Sequence, residues 1–290
     1  MAGHDDEEGR ALRLEFNWIL QNEVPSILKQ LKNIVKNSLH KFKSPSTPGQ
    51  THLTKPDNFI LSIPNSDAVK GLISIAGDCV IKAEFKFKFP KIPNGTFGTF
   101  IFEQCPWRLQ QLQDSKNHLD TVFELISERE SCGSFTSASE VLELMDRVMA
   151  SLSRGKACLI VPEKHQLSEL MALGAQRVMN PPIPDELLVH FHVNCDKIVF
   201  CVYVLTLLTA APNQKNVNQD HTQIGHTFEY CNRFYEVINR IEIICTVPWL
   251  KDVIVLFNTA QQLCQQLKDK VIIFQNLLPY SDLGDEMSYR

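Results

Sequence analysis

Between Pro248 and about Leu278 runs an unbroken apolar seam: Val253, Phe257, Ala260, Cys264, Leu267, Val271, Phe274 and Leu278, spaced by alternating fours and threes. At 3.6 residues per turn these positions return to one side of a helix, so the segment predicts a long helix with one face against other helices. In heptad terms Phe257, Cys264, Val271 and Leu278 fall at a, and Val253, Ala260, Leu267 and Phe274 at d. A two-stranded zipper wants charges beside that seam, at e and g. Here g carries Leu256, Leu263, Lys270 and Leu277, and e carries Ile254, Gln261, Lys268 and Gln275. The stripe is wider than a dimer seam needs and suits a bundle core, so the helix is expected to pack inside its own chain.

Three more amphipathic segments could pack with it. From Leu12 to Phe42 the residues Phe16, Leu20, Val24, Ile27, Leu31, Ile34 and Val35 share a helical face, with Pro25 as a kink or restart. Pro106 suits a first helical residue, and Leu109, Leu112, Leu119, Val122, Phe123 and Ile126 continue that stripe to about Glu130. After a glycine-bearing turn at Ser131 to Ser134, Ser137 and Glu140 have capping-box spacing, and Val141, Leu142, Met145, Val148, Met149 and Leu152 follow at helical intervals.

The intervening segments read as strands. Asn58 to Ile63, Lys70 to Ala76, Ile81 to Phe89 and Phe97 to Glu103 are short and bounded by Pro, Gly, Asn or Asp, the pattern of an antiparallel meander. In the third, Ile81, Ala83, Phe85, Phe87 and Phe89 alternate with Lys82, Glu84, Lys86 and Lys88, which puts the phenylalanines on a core face and the charges in water. Leu167 to Leu173 suggests a short helix closed by Gly174, followed by the breakers Pro181, Pro182 and Pro184. Leu187 to Val193 and Ile198 to Leu208 predict a hairpin around Asn194 and Asp196, and Phe234 to Val247 one or two more strands.

The order helix, strands, two helices, strands, helix has no βαβ alternation and predicts an α+β fold. The expected organisation is a discontinuous antiparallel helical bundle from residues 10–43, 105–157 and 248–279, and a separate antiparallel β domain from residues 58–104 and 158–247. Residues 1–9, 44–57 and 280–290 are expected to be flexible. A chain of 290 residues with 44% hydrophobic and 21% charged content can build such cores.

The net charge of -4 gives no global positive field for nucleic acid or anionic lipid. Asp5, Asp6, Glu7 and Glu8, with no apolar run beside them, argue against a secretory signal or a mitochondrial presequence and predict a cytoplasmic protein. The longest apolar run, Ile198 to Ala211, is shorter than the roughly 20 residues of a membrane span and reads as a buried strand. Nine dispersed cysteines with no C-x-x-C pair read as reduced thiols.

Sites of chemistry are sparse. His190 and His192 lie two apart on a strand with Cys195 nearby, but no fourth metal ligand has motif spacing, so the pair is expected on the outer side of a half-exposed strand. His221 and His226, near Asp220 in the polar loop Asn213 to Gly225, are expected in solvent. Lys82, Lys86, Lys88 and Lys91 alternate with aromatics, yet a period of two separates the two kinds onto opposite faces; an acidic partner protein could use the lysine face. Arg154-Gly155-Lys156 lacks the first glycine and the hydroxyl of a phosphate loop, and no G-x-S-x-G occurs. Cysteine catalysis would need a thiol and a base meeting in space, for which the sequence gives no context. Ser44-Pro45 and Thr47-Pro48 have the form of proline-directed phosphorylation sites. The residues therefore predict no enzyme, catalytic group, metal or cofactor, and the partner-binding residues stay unassigned.

Five strings carry a resemblance: Asn58-Phe-Ile-Leu61, Leu109-Gln-Gln-Leu-Gln-Asp-Ser-Lys-Asn-His-Leu119, Glu140-Val-Leu-Glu-Leu-Met-Asp-Arg-Val-Met149, Pro248-Trp-Leu-Lys-Asp252 and Leu263-Cys-Gln-Gln-Leu-Lys-Asp-Lys270. Through them the chain resembles the Rogdi family from its first helix to Phe274; the loop Asn213 to Gly225 and the tail after Pro279 are least typical. The resemblance implies a helical domain joined to a β domain. It also implies a non-enzymatic adaptor of the RAVE, or rabconnectin-3, assembly, which promotes reassembly of the vacuolar proton-pumping ATPase and so organelle acidification. Implied partners are rabconnectin-3 WD-repeat proteins and V-ATPase subunits, with membranes reached only through them. The implied setting is cytoplasmic, on acidic organelles or synaptic vesicles of neurons, with a link to the nucleus. On its own the chain is expected to be a monomer. The alternative reading is a self-associating leucine-zipper regulatory protein in the nucleus.

Overall fold

The computed structural model describes residues 2–42, 56–63, 66–88, 97–103, 106–161, 166–174, 178–209 and 223–277. The fold mixes helix and sheet, in two compact units. One comprises Met1–Lys41, Ser115–Lys156 and Asp252–Arg290, and the other Phe42–Asp114 and Ala157–Lys251.

The first unit is helical. It holds α1 (Ala2–Trp18), a π-helical turn (Ile19–Glu23), α2 (Val24–Lys41), and most of α3 (Gln110–Ser131), α4 (Ala138–Ile160) and α6 (Pro248–Leu277). The first helix begins ten residues before Leu12, because the acidic run at Asp5 to Glu8 lies where the helix dipole favours negative charge. The chain stays helical through Pro25, with the α-helix resuming at Val24 after the π turn. The proline ring would crowd the carbonyl four residues back, and the chain widens into the π turn just ahead of it, where the Val24 N–H donates to the Ile19 carbonyl.

In α6 the seam residues Val253, Phe257, Ala260, Cys264, Leu267 and Val271 are all buried, and the flanking Ile254, Leu256, Gln261, Leu263, Lys268 and Lys270 are half-buried. Phe274 stacks on Phe16 of α1 at 6.0 Å, and Lys270 Nζ donates to both Glu23 carboxylate oxygens at 2.9 and 2.7 Å. Gln261 Nε2 donates to Ser153 Oγ of α4 at 2.9 Å, and Lys268 pairs with Asp146. The seam is thus covered from within its own chain.

The turn between α3 and α4 is tied by Arg129. Its guanidinium lies 3.7 Å from the Phe135 ring centre and donates to the carbonyls of Gly133 (2.8 Å) and Ser134 (3.3 Å) and to Glu140 (2.9 Å). Ser137 caps α4 by accepting from the Glu140 N–H at 3.3 Å, while the Glu140 carboxylate reaches one residue beyond the usual box, to the Thr136 N–H (3.3 Å) and hydroxyl (2.7 Å).

Among the described residues the second unit holds a nine-stranded antiparallel sheet into which both strand groups merge. Its strands are β1 (Asp57–Ile63), β2 (Ser66–Ala76), β3 (Cys79–Lys88), β4 (Phe97–Phe102), β5 (Trp107–Arg108), β6 (Leu187–Asn194), β7 (Lys197–Leu208), β8 (Thr227–Tyr230) and β9 (Arg233–Thr246). The path runs β4-β3-β2-β1-β9-β7-β6, with β5 on β3 and β8 on β9. The two groups join where Ser62 of β1 pairs with Ile244 of β9.

The sheet curls. Strands β3 and β7 are four steps apart, about 19 Å in a flat sheet, yet the Phe85 and Phe200 rings stack at 3.9 Å, with Phe191 at 5.9 Å from Phe85. Gly71 permits this closeness: a Cβ there would lie 2.9 Å from the Phe85 ring. The inner face is the core, as the phenylalanine alternation of β3 predicts.

Three expectations change, and one alternative resolves. Pro106 does not start a helix: Trp107 and Arg108 first pair with Val80 and Cys79 of β3, the Leu109 N–H donates to the Asp78 carbonyl at 2.7 Å, and α3 begins at Gln110. Phe234 to Val247 is one long strand, and β8 is an extra strand ahead of it. Residues 2–9 are helical. Strand β6 is buried on both faces, so His190 and His192 do not face water. The expected linker 44–57, apart from its last two residues, and the tail 280–290 lie outside the described residues. Among those residues no helix is long and apolar enough to cross a membrane.

Candidate functional site

Among the described residues, a group of titratable side chains gathers on the outer face of β6, β7 and β9. Residues directly opposite in an antiparallel ladder share a face. The register therefore sets His190, Cys201 and Glu242 in one row, and Leu188, Tyr203 and Arg240 in the next. Arg240 Nε donates to Cys201 Sγ at 3.2 Å, another of its nitrogens pairs with Glu242, and its guanidinium sits 5.5 Å from the Tyr203 ring centre. The His190 and His192 rings stack 5.7 Å apart, and Trp107 lies 6.2 Å from His190. The short helix α5 (Leu167–Ala172) covers the neighbouring part of the face, where Leu167, Leu170 and Met171 pack with Leu188, Cys201, Tyr203, Leu205, Tyr235 and Val237.

This arrangement suits structure better than reaction. Burial pushes the Cys201 thiol up despite Arg240 beside it, and raises the Tyr203 phenol as well. A thiol held protonated is a poor nucleophile and a poor metal ligand. Burial likewise pushes Cys245 and Cys264 up to about 12.

The other residues singled out in the sequence are dispersed. Cys195 occupies the hairpin turn with φ 57°, its N–H donating to the Leu159 carbonyl at 2.7 Å; among the described residues no three His, Cys, Asp or Glu side chains are grouped to hold a metal. His226 is exposed in the turn before β8, while His221 and Asp220 lie outside the described residues. On β3, Lys82 pairs with Glu103, and Lys86 with Glu84 at 3.4 Å; the Lys88 side chain and Lys91 are not described. Ser44, Thr47 and Cys105 are also outside the described residues. Gly155 is a packing residue: a Cβ there would lie 3.0 Å from both His118 and Phe257, so the glycine lets α3, α4 and α6 approach closely.

Two features escaped the sequence reading. Gln111, buried at the start of α3, accepts from the Val193 N–H at 2.6 Å and donates to the Val193 carbonyl at 3.0 Å and the Cys158 carbonyl at 2.9 Å. Its amide thus acts as a strand partner for the edge of β6, a role no periodicity reveals. Leu14 and Trp18 on α1 are exposed, one turn apart and opposite the buried Phe16, Ile19 and Leu20. Their i, i+4 spacing off the apolar face was a legible signal.

A sequence profile described as "Rogdi leucine zipper containing protein" matches residues 15–271. A zebrafish (Danio rerio) relative, "Protein rogdi homolog", is 35% identical over 285 residues, covering 97% of this chain and 99% of the relative. The human (Homo sapiens) protein of that name is 36% identical, covering 94% and 96%, and the Drosophila melanogaster "Protein rogdi" is 32% identical, covering 94% and 92%. With a profile match and relatives that span nearly all of its length, the chain belongs to the Rogdi family.

Proposed function

We propose that the chain is a non-enzymatic adaptor subunit of a RAVE-like, or rabconnectin-3, complex that promotes assembly of the vacuolar proton-pumping ATPase and hence organelle acidification. The observation that carries this reading is family membership over nearly the whole chain. The buried Cys201 supports it, since burial raises its thiol and the polar cluster on β6, β7 and β9 then offers no activated nucleophile. In this reading the helices of the first unit form an antiparallel bundle and the curled sheet a β domain. The protein acts in the cytoplasm and reaches acidic organelles through rabconnectin-3 WD-repeat proteins and pump subunits.

The buried α6 seam weighs against the nuclear leucine-zipper alternative, because a zipper partner would need the face that this chain already covers. Affinity purification of the tagged full chain is expected to recover rabconnectin-3 proteins, with pump subunits in smaller amount. Their reproducible absence overturns the proposal.

A further inference from the structure

The solvent face of α1 has the composition of an interface rather than of ordinary helix surface. Leu14 is 66% exposed and Trp18 58% exposed. Ala11, exposed one turn before Leu14, extends the stripe toward the N-terminus. Tryptophan on a helix surface costs apolar hydration without adding to the core, and it is the residue type most enriched among interface hot spots.

Carboxylates frame the stripe. By helical angle Glu7 lies in line with Ala11 and Trp18, Glu15 falls to one side, and Glu8 lies just beyond Glu15; all three are exposed. Arg10 lies on the opposite flank, and Arg13 is turned back, its Nε donating to the Gly9 carbonyl at 3.3 Å. Over the whole helix five acidic residues face two arginines. The face is therefore apolar along its middle, acidic on the Glu8–Glu15 flank and at its N-terminal end, and carries Arg10 on the other flank.

We infer that this α1 face, centred on Leu14 and Trp18 and edged by Glu7, Glu8 and Glu15, docks a basic amphipathic helix of a partner protein, an inference that rests on the adaptor reading. The partner's apolar stripe covers Leu14 and Trp18 while its lysines and arginines meet the carboxylates. The net negative charge of the helix, five carboxylates against two arginines, argues against the other occupants, because it opposes a second copy of the helix and an anionic lipid surface alike.

The test uses the full-length chain and the partner proteins recovered with it. Wild type is compared with Leu14→Ala/Trp18→Ala and with Glu7→Lys/Glu15→Lys; all four positions are exposed, and far-UV circular dichroism should confirm unchanged folding. Each pair is expected to lower partner recovery at least about tenfold. On the wild-type complex, zero-length carbodiimide coupling should join Glu7, Glu8 or Glu15 to lysines of one recovered protein, read by mass spectrometry. Equal recovery with both variants overturns this inference and leaves the adaptor reading standing. Cross-links made only to lysines of this chain, within or between copies, also overturn it. No recovery with wild type overturns the adaptor reading and this inference together.

Discussion

The helical unit and the sheet unit keep their cores in register by different kinds of information. In α6 the buried residues from Val253 to Val271 recur every three or four positions, so each turn of helix repeats the instruction to face inward. In β6 and β7 both faces are buried, and order comes from groups supplied from far along the chain: Phe85 against Phe200, and the Gln111 amide against Val193. A repeated instruction tolerates the blurring of one member. A single distant contact has no neighbour to stand in for it.

The largest effects should come from the two central phenylalanines. Phe257→Ala and Phe85→Ala each remove a fully buried ring, and each is expected to cost about 3–5 kcal/mol in denaturant unfolding. Leucine replacements separate the two regions. Phe257→Leu keeps a side chain that a helical seam can accommodate, whereas Phe85→Leu also forfeits the ring stack on Phe200, worth about 0.5–1.5 kcal/mol beyond burial. Equal losses for the two leucine variants would break the contrast.

Next in size is Gln111. Replacing it with Met keeps the length of the side chain but strips partners from the Val193 N–H and carbonyl and from the Cys158 carbonyl, a loss of about 2–4 kcal/mol. The matching change in the helical unit is Gln261→Met. It removes a bond to Ser153 at the surface and should stay within about 0.5 kcal/mol. If the two glutamines proved equally costly, the edge of β6 would not depend on this clamp.

What could be read in advance follows the same division. The α6 seam, the alternation in β3 around Phe85 and the cap by Ser137 are local patterns, and the structure contains each of them. Strand β5 is two residues long and cannot display a period, so by sequence Pro106 reads as a helix start. His190 and His192 read as wet because a polar residue at every second position usually marks a solvent face; here Trp107, about eighty residues earlier in the chain, covers His190. The acidic run before Arg10 reads as unstructured by composition, although as the first turns of a helix it is favoured by the helix dipole. Gln111 lies inside one of the strings that mark the family, yet its role depends on Val193, eighty-two residues away.

The smallest effect, and the one that probes local information alone, concerns the α3–α4 turn. Hydrogen bonds from Thr136, hydroxyl first and then backbone N–H, hold the Glu140 carboxyl below its ordinary value, with the Arg129 guanidinium adding to the shift. A carboxyl lowered in the folded state contributes stability that is fully present above the unfolded value and is lost as pH falls through the folded one. Glu140→Gln should therefore lower the melting temperature at roughly pH 6, and the gap from wild type should close as the pH approaches about 3. The glutamate is partly exposed, so solvent screening keeps the gap to a few degrees at most. Arg129→Lys should cost more than Glu140→Gln, since an ammonium cannot keep the flat contact on Phe135 while donating to Gly133, Ser134 and Glu140 together. A Glu140→Gln deficit that persists unchanged at pH 3 would mean that the carboxylate charge does not hold this turn, and that the cap by Ser137 suffices.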